Sequence, residues 1–206
     1  MQARKRRLEV IGHRGNGAGP DENTLASCRA AIRNGADSVE LDVQLIGGKL
    51  MLAHPPRQPK ESLRTVLDGI DRPVFLHLKR RHLSRRHDRK ALRLLSDVTH
   101  RPGLVVSSCW PGTLRYAKRQ YPQLHMVFIT RWLGWDRRFA KSLGVAEFHT
   151  WHRSLTARAL RKTPQRVTVF VPKRWSGLPV DGVITDDVQS FVNHGTPGKP
   201  GKQAGR

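Results

Sequence analysis

Cysteine, acidic residues and long apolar runs are all scarce in this chain of 206 residues. Two cysteines, Cys28 and Cys109, are too few for a disulfide framework and too far apart for a zinc knuckle. Each sits among small or apolar neighbours, so both are expected to fill the core. No apolar run reaches membrane-spanning length. Met1 to Arg7 is basic, but the apolar stretch after it is too short for the core of a signal peptide. A soluble, cytoplasmic protein is the expectation. Internal repeats are absent, and so is any RNA-binding motif with stacked aromatics. Carboxylates are outnumbered, with 16 Asp+Glu against 38 Lys+Arg, a net charge of +22 and a pI near 11.5. Such a field attracts phosphates, nucleic acid or an anionic membrane surface and says nothing about fold. The length suits one compact domain with a sizeable core.

What is present alternates. Leu8 to Gly12 is a short apolar run ending at His13-Arg14-Gly15. A Gly-rich loop leads to Asp21-Glu22-Asn23-Thr24, where Asn23 or Thr24 can cap a helix bearing Leu25, Cys28 and Ile32, and Gly35 suits its stop. From Ser38 to Leu45, Val39, Leu41, Val43 and Leu45 share one face of a strand and Glu40, Asp42 and Gln44 the other. By itself that pattern also fits an edge strand with a wet face. Gly47-Gly48 turns the chain into a return arm, Lys49 to Ala53, that delivers His54.

Further strands are expected from Pro73 to Lys79, Leu104 to Ser108, His125 to Thr130, Val145 to His149, Val167 to Val171 and Gly182 to Thr185. Helical patterns fall between them: Glu61 to Ile70, a run capped by Ser84, one opened by Pro111, Asp136 to Leu143, and Ser154 to Arg161. Eight strands, leaving out the return arm, predict a compact (β/α)8 TIM barrel over residues 8–192, with residues 193–206 a disordered basic tail. In such a barrel, catalytic groups stand at the C-terminal strand ends and face the axis. Strand one would present His13 and Arg14, strand two Glu40 and Asp42, strand three His77 and Lys79. Two carboxylates facing a closed interior repel each other and lose hydration unless a cation lies between them, which points to a divalent metal such as Mg²⁺ or Ca²⁺. Two histidines beside it, with Arg and Lys, make an acid–base pair next to an anion clamp.

H-R-G, E-N-T, E-L-D-V and the histidine after a glycine turn resemble the glycerophosphodiester phosphodiesterase family. V-V-S-S at Val105 to Ser108 and V-D-G-V-I-T-D at Val180 to Asp186 are similar to that family's fourth and last strands. The resemblance implies a metal-dependent TIM-barrel phosphoric diester hydrolase that cleaves glycerophosphodiesters to glycerol 3-phosphate and an alcohol, or acts on related lysophospholipids. It implies His13 and His54 as general acid and base, Glu40 and Asp42 as metal ligands, and Arg14 and Lys79 as groups that hold the phosphate. It further implies attack on phosphorus by the neighbouring glycerol hydroxyl, giving a cyclic phosphate.

Three departures stand out. The family's third metal ligand, a glutamate two residues before the lysine, is replaced by His77; imidazole suits Mn²⁺ or Zn²⁺ better than Mg²⁺ or Ca²⁺. Pro55-Pro56 follows His54 where the family usually has Asp. The short segment between strands two and three implies a wider mouth and a bulkier substrate such as a lysophospholipid; toxin phospholipases D acting on sphingomyelin share that architecture by resemblance. The alternative function is a catalytically weak or inactive barrel that binds nucleic acid or anionic lipid through its basic surface. Glu22 is expected to support the loop or the helix start, and His149 to His152 to form a loop with no carboxylate nearby. Trp132, Leu133 and Trp135 are expected as an apolar lip or as ordinary packing, and Lys79 to Lys90 as a solvated basic face.

Overall fold

The computed structural model describes residues 7–79, 85–98, 101–171 and 177–194. Its centre is a closed ring of eight parallel strands: β1 (Glu9–His13), β2 (Ser38–Ile46), β5 (Val74–Leu78), β6 (Leu104–Ser108), β7 (His125–Thr130), β8 (Glu147–Trp151), β9 (Arg166–Val171) and β10 (Gly182–Thr185). β10 returns to β1 in register Val10 with Val183, and β1 pairs with β2, so the sheet closes on itself. The hairpin strand β3 (Lys49–Leu52) runs antiparallel to β2 and carries the two-residue β4 (Glu61–Ser62). The expected (β/α)8 barrel is what forms.

Helices α1 (Leu25–Arg33), α2 (Leu63–Gly69), α3 (Arg85–Ser96), α4 (Pro111–Gln120), α5 (Leu133–Asp136), α6 (Ala140–Leu143), α7 (Ala157–Arg161) and α8 (Val188–His194) follow the strands. Thr24 caps α1 by accepting from the Ser27 amide, and Ser62 and Thr156 do the same for α2 and α7. Pro111 opens α4, where its missing N–H costs nothing.

Strand alternation sorts the apolar side chains into two cores. Val39, Leu41, Val43, Val74, Leu76 and Val106 point outward and pack with Cys28, Ala31, Leu92, Leu95 and Leu114 of the helices. Ile11, Phe75, Val105, Val127 and Ile184 point inward and fill the barrel with Phe170. Truncating one of the fully buried leucines, such as Leu41, would cost about 2–5 kcal/mol.

Several boundaries differ from expectation. The sixth ring strand runs Glu147–Trp151 instead of Val145–His149, because the Glu147–His149 pair takes the inward positions. The Asp136–Leu143 helix begins earlier, at Leu133, and is broken by a 3₁₀ turn, Arg137–Phe139. α7 starts at Ala157 rather than Ser154, and α8 was not expected at all. α8 takes in residues 193 and 194, the first two of the expected tail; 195–206 lie outside the described residues, as do 80–84 of the expected basic face and its Ser84 cap. Cys28 is buried as expected, but Cys109 is exposed, since it follows the end of β6 on the mouth side.

Candidate active site

Four neighbouring strand ends, β10, β1, β2 and β5, build the site. β1 ends in a tight turn: the Gly17 amide donates to the His13 carbonyl at 2.8 Å, and the Gly15 amide to the Glu40 carbonyl at 3.2 Å. Arg14 sits in this turn at φ 53°, a left-handed value uncommon for a residue with a side chain, which aims its amide at Glu40 Oε2, 3.2 Å away. Gly12 has to be glycine, since a Cβ there would collide with the Gly15 carbonyl and come within 2.8 Å of Ala31 Cβ.

Glu40 and Asp42 point into the barrel as expected and are almost wholly buried, each 1 % exposed. Asp42 is surrounded by cations. Lys79 Nζ lies 3.0 Å from its Oδ1 and Arg14 Nε 3.1 Å from its Oδ2, while its amide donates to Asn23 Oδ1 at 2.8 Å. Burial alone would raise its pKa, but Lys79, His77 and Arg14 hold it below the usual carboxylate range. Glu40 has less help. Burial, and then repulsion from Asp42, push it up to about 7. Its Oε1 is buried without a hydrogen-bond partner.

His77, on β5, completes the group. Its Nδ1 stands 3.6 Å from Asp42 Oδ1 and 3.8 Å from Glu40 Oε1. Burial and then Lys79 depress its pKa well below the ordinary histidine value, so the imidazole is neutral and has a lone pair to offer. One donor atom from each of Glu40, Asp42 and His77 lies within 4.8 Å of the others. An unpaired carboxylate oxygen, a second carboxylate and a neutral imidazole converging in this way fit a divalent metal ion, and the group could hold one.

His13 overlooks this group, with Nε2 4.0 Å from Glu40 Oε2. Its Nδ1 is 2.7 Å from Asp186 Oδ1, just past β10. Burial disfavours its charged form, yet the Asp186 hydrogen bond and the Glu40 charge outweigh this and leave its pKa raised. Asp186, which also accepts from the Ala18 amide at 3.0 Å, is lowered by the same bond. In the sequence Asp186 stands out only as the end of the last strand motif, with no sign of this role. Asn23, one of the two expected caps of α1, at φ 61° turns its side chain onto Asp42 instead.

His54 arrives on the arm β3. The Ala53 amide donates to the Asp42 carbonyl at 3.0 Å, and Gln44 Nε2 donates to the Ala53 carbonyl at 2.7 Å. These bonds bring the ring within electrostatic reach of Asp42, Lys79 and Arg14, and burial followed by the two cations lowers its pKa. Glu22 supports the loop, as expected, by pairing with Arg14 at 2.9 Å and Arg57 at 3.4 Å. All seven residues singled out from the sequence thus meet at one barrel end.

His149 corrects the sequence reading. It is a strand residue inside the barrel, wholly buried, and a carboxylate is close: Nε2 lies 3.1 Å from Glu147 Oε1. Glu147 also accepts from Thr168 Oγ1 at 2.7 Å and lies near Arg166, which pairs with Glu9 at 2.6 Å. Glu147, Arg166 and Glu9 open their strands, at the end away from His13, while the His149 ring lies further in and meets Phe170, which the His13 ring also meets. The expected lip is corrected too. Leu133 is core, while Trp132 and Trp135 are exposed.

Residues 13–57 match the model of the glycerophosphoryl diester phosphodiesterase family. No curated protein matches the chain. Among solved structures, a chain from Galdieria sulphuraria superposes with a TM-score of 0.77 at 16 % identity, covering 93 % of this chain and 98 % of that one. The glycerophosphodiester phosphodiesterase of Thermotoga maritima gives 0.74 at 21 %, covering 90 % and 97 %. An Oleispira antarctica phosphodiesterase in complex with the product sn-glycerol-3-phosphate gives 0.75 at 18 %, covering 91 % and 96 %. The resemblance drawn from the motifs holds: the matched stretch carries H-R-G, E-N-T, E-L-D-V and His54, and the barrel is shared over its whole length.

Proposed function

We propose that this chain is a cytoplasmic phosphoric diester hydrolase that cleaves glycerophosphodiesters to glycerol 3-phosphate and an alcohol, or acts on related lysophospholipids. The observation that carries the reading is the unpaired Glu40 Oε1, facing His77 and Asp42 beneath a histidine fixed by Asp186. The family match over residues 13–57 and the glycerol phosphate product bound by the Oleispira protein on the same fold support it.

Glu40, Asp42 and His77 would hold the metal, which when bound would stabilise charge developing on the phosphoryl oxygens. Arg14 and Lys79 hold the substrate phosphate from the Asp42 side. His54, whose pKa is lowered, is the general base that takes the proton of the attacking glycerol hydroxyl. His13, whose pKa is raised and whose Nδ1 is tied to Asp186, is the acid that protonates the leaving alcohol through Nε2. In the second step the two exchange roles as water opens the cyclic phosphate.

The nitrogen donor of His77 favours Mn²⁺ or Zn²⁺ over Mg²⁺ or Ca²⁺. Calorimetric titration with each ion reads this directly, and His77→Glu should move the preference toward Mg²⁺. Hydrolysis of glycerophosphocholine and a lysophospholipid, with each metal in turn and beside EDTA and His13→Ala, tests the activity. Turnover abolished by both controls supports the hydrolase. No turnover with any metal, together with salt-sensitive polyanion binding, would favour a retired barrel whose Asp42 is already neutralised by Lys79 and Arg14.

A further inference from the structure

We propose that the mouth of the barrel docks on an anionic phospholipid bilayer through an exposed face of aromatic side chains set among arginines. Trp132, Trp135 and Phe139 are 69, 65 and 50 % exposed, the three highest values among the exposed large hydrophobics of the described residues. They recur at helical spacing from the cap of α5 through its 3₁₀ extension, and the same run, continuing into α6, buries Leu133, Ala140 and Leu143 in the core. A surface helix normally turns its apolar side inward and its polar side out. Here both faces carry apolar groups, and the outer one stays exposed among the described residues.

Position adds to this. Trp132 follows the end of β7, Trp151 ends β8, and Trp110 follows β6, so exposed tryptophans stand at the C-terminal ends of three adjacent strands. His13 ends β1 and Asp186 follows β10, at the same end of the barrel. The aromatic rim therefore borders the site rather than the opposite pole. Tryptophan, with an apolar body and one N–H, suits the level of lipid headgroups.

Charge selects the lipid. Between Arg131 and Arg161 the sequence has seven Lys and Arg against two carboxylates, Asp136 and Glu147. Both carboxylates are engaged within the fold, Asp136 by the Thr130 hydroxyl and Glu147 by His149. The exposed guanidiniums of Arg131 and Arg138 lie over Trp151 at 5.4 Å and Trp135 at 4.4 Å. Cation–π pairing lowers the cost of carrying an arginine to an interface, where each also gains from anionic headgroups. The same pairing counts against nucleic acid. Trp151 is already stacked on Phe170 at 5.4 Å, so ring faces that a nucleobase needs are engaged.

The test is co-sedimentation and tryptophan fluorescence with vesicles of phosphatidylglycerol and of phosphatidylcholine. Binding to the first and not the second, with a blue shift, is expected. The double variant Trp132→Ser/Trp135→Ser should weaken partitioning by at least about tenfold while leaving thermal stability and hydrolysis of a water-soluble diester unchanged. Absence of binding to phosphatidylglycerol vesicles at low salt would overturn the proposal, as would binding that the double variant leaves intact. Loss of single-stranded oligonucleotide binding in that variant, with vesicle binding kept, would assign the surface to nucleic acid instead. Vesicle binding needs no turnover, so the result stands apart from the hydrolase reading.

Discussion

His13 and Asp186 are 173 residues apart in sequence and 2.7 Å apart in space. The carboxylate stabilises the charged imidazole, so Asp186→Asn, which keeps an acceptor but loses the charge, should lower the pKa of His13. A general acid that loses its proton earlier moves the alkaline limb of the pH–rate profile to lower pH, and kcat should fall by about ten- to a hundredfold. A profile between pH 5 and 9 checks this, and an unmoved limb would remove Asp186 from the catalytic account. Nothing near His13 in the sequence points to this partner, because barrel closure alone brings β10 beside β1. The mouth residues of β1, β2 and β5 were legible, since each is a polar group at an inward position of an apolar strand. Glu147 was not. Burial would raise its pKa, but the His149 and Thr168 hydrogen bonds and Arg166 lower it. A depressed carboxylate contributes stability that is present above its unfolded value, near about 4.3, and lost as pH falls through the folded value. Glu147→Gln should therefore cost about 2 kcal/mol near neutral pH, with the gap to the native protein closing below about pH 4. Denaturant unfolding from pH 7 to 3 measures it.

At the level of elements, β2 organises the site because it carries two messages on alternate residues. Val39, Leu41 and Val43 bind it to the helices, and Glu40, Asp42 and Gln44 face inward. That alternation was readable because period two separates the faces cleanly. β8 was misplaced by two residues because its inward residues, Glu147 and His149, do not look like a strand interior until Arg166 and Thr168 are beside them. The arm β3 shows an element serving the site at one remove. Gln44 donates to the Ala53 carbonyl and so fixes the backbone just before His54. Gln44→Ala should lower kcat by about tenfold through a misplaced base, while metal affinity by calorimetry stays unchanged, since Glu40, Asp42 and His77 are held by β2 and β5. A matching loss of metal affinity would mean that β2 itself had moved. The turn after β1 is stricter. Gly12→Ala would force a Cβ into the Gly15 carbonyl and Ala31, and should cost about 1–3 kcal/mol of stability in a melt.

On the scale of the whole molecule, the net charge of +22 and the buried carboxylates belong to one electrostatic arrangement. Glu22, Glu40, Asp42, Asp88 and Glu147 are buried, so the excess Lys and Arg face water with little compensation. The outer field draws anions toward the protein, while Glu40 and Asp42 keep the mouth able to take a cation. Composition revealed the outer half, but the inner half needed the fold, because charge counts do not say which carboxylates turn inward. An anionic substrate gains from this field in its approach, and the gain is screened as the Debye length shrinks from about 14 Å near 50 mM salt to about 4 Å near 500 mM. For glycerophosphoglycerol, which carries one negative charge, kcat/KM should fall several-fold over that range through slower association. Glycerophosphocholine, a zwitterion without net charge, should change much less. Parallel steady-state kinetics on the two substrates would separate the field from the chemistry, since loss of activity by salt-induced unfolding would lower both together. Equal salt sensitivity with an unchanged melting temperature would mean that the positive surface serves a different anion from the substrate.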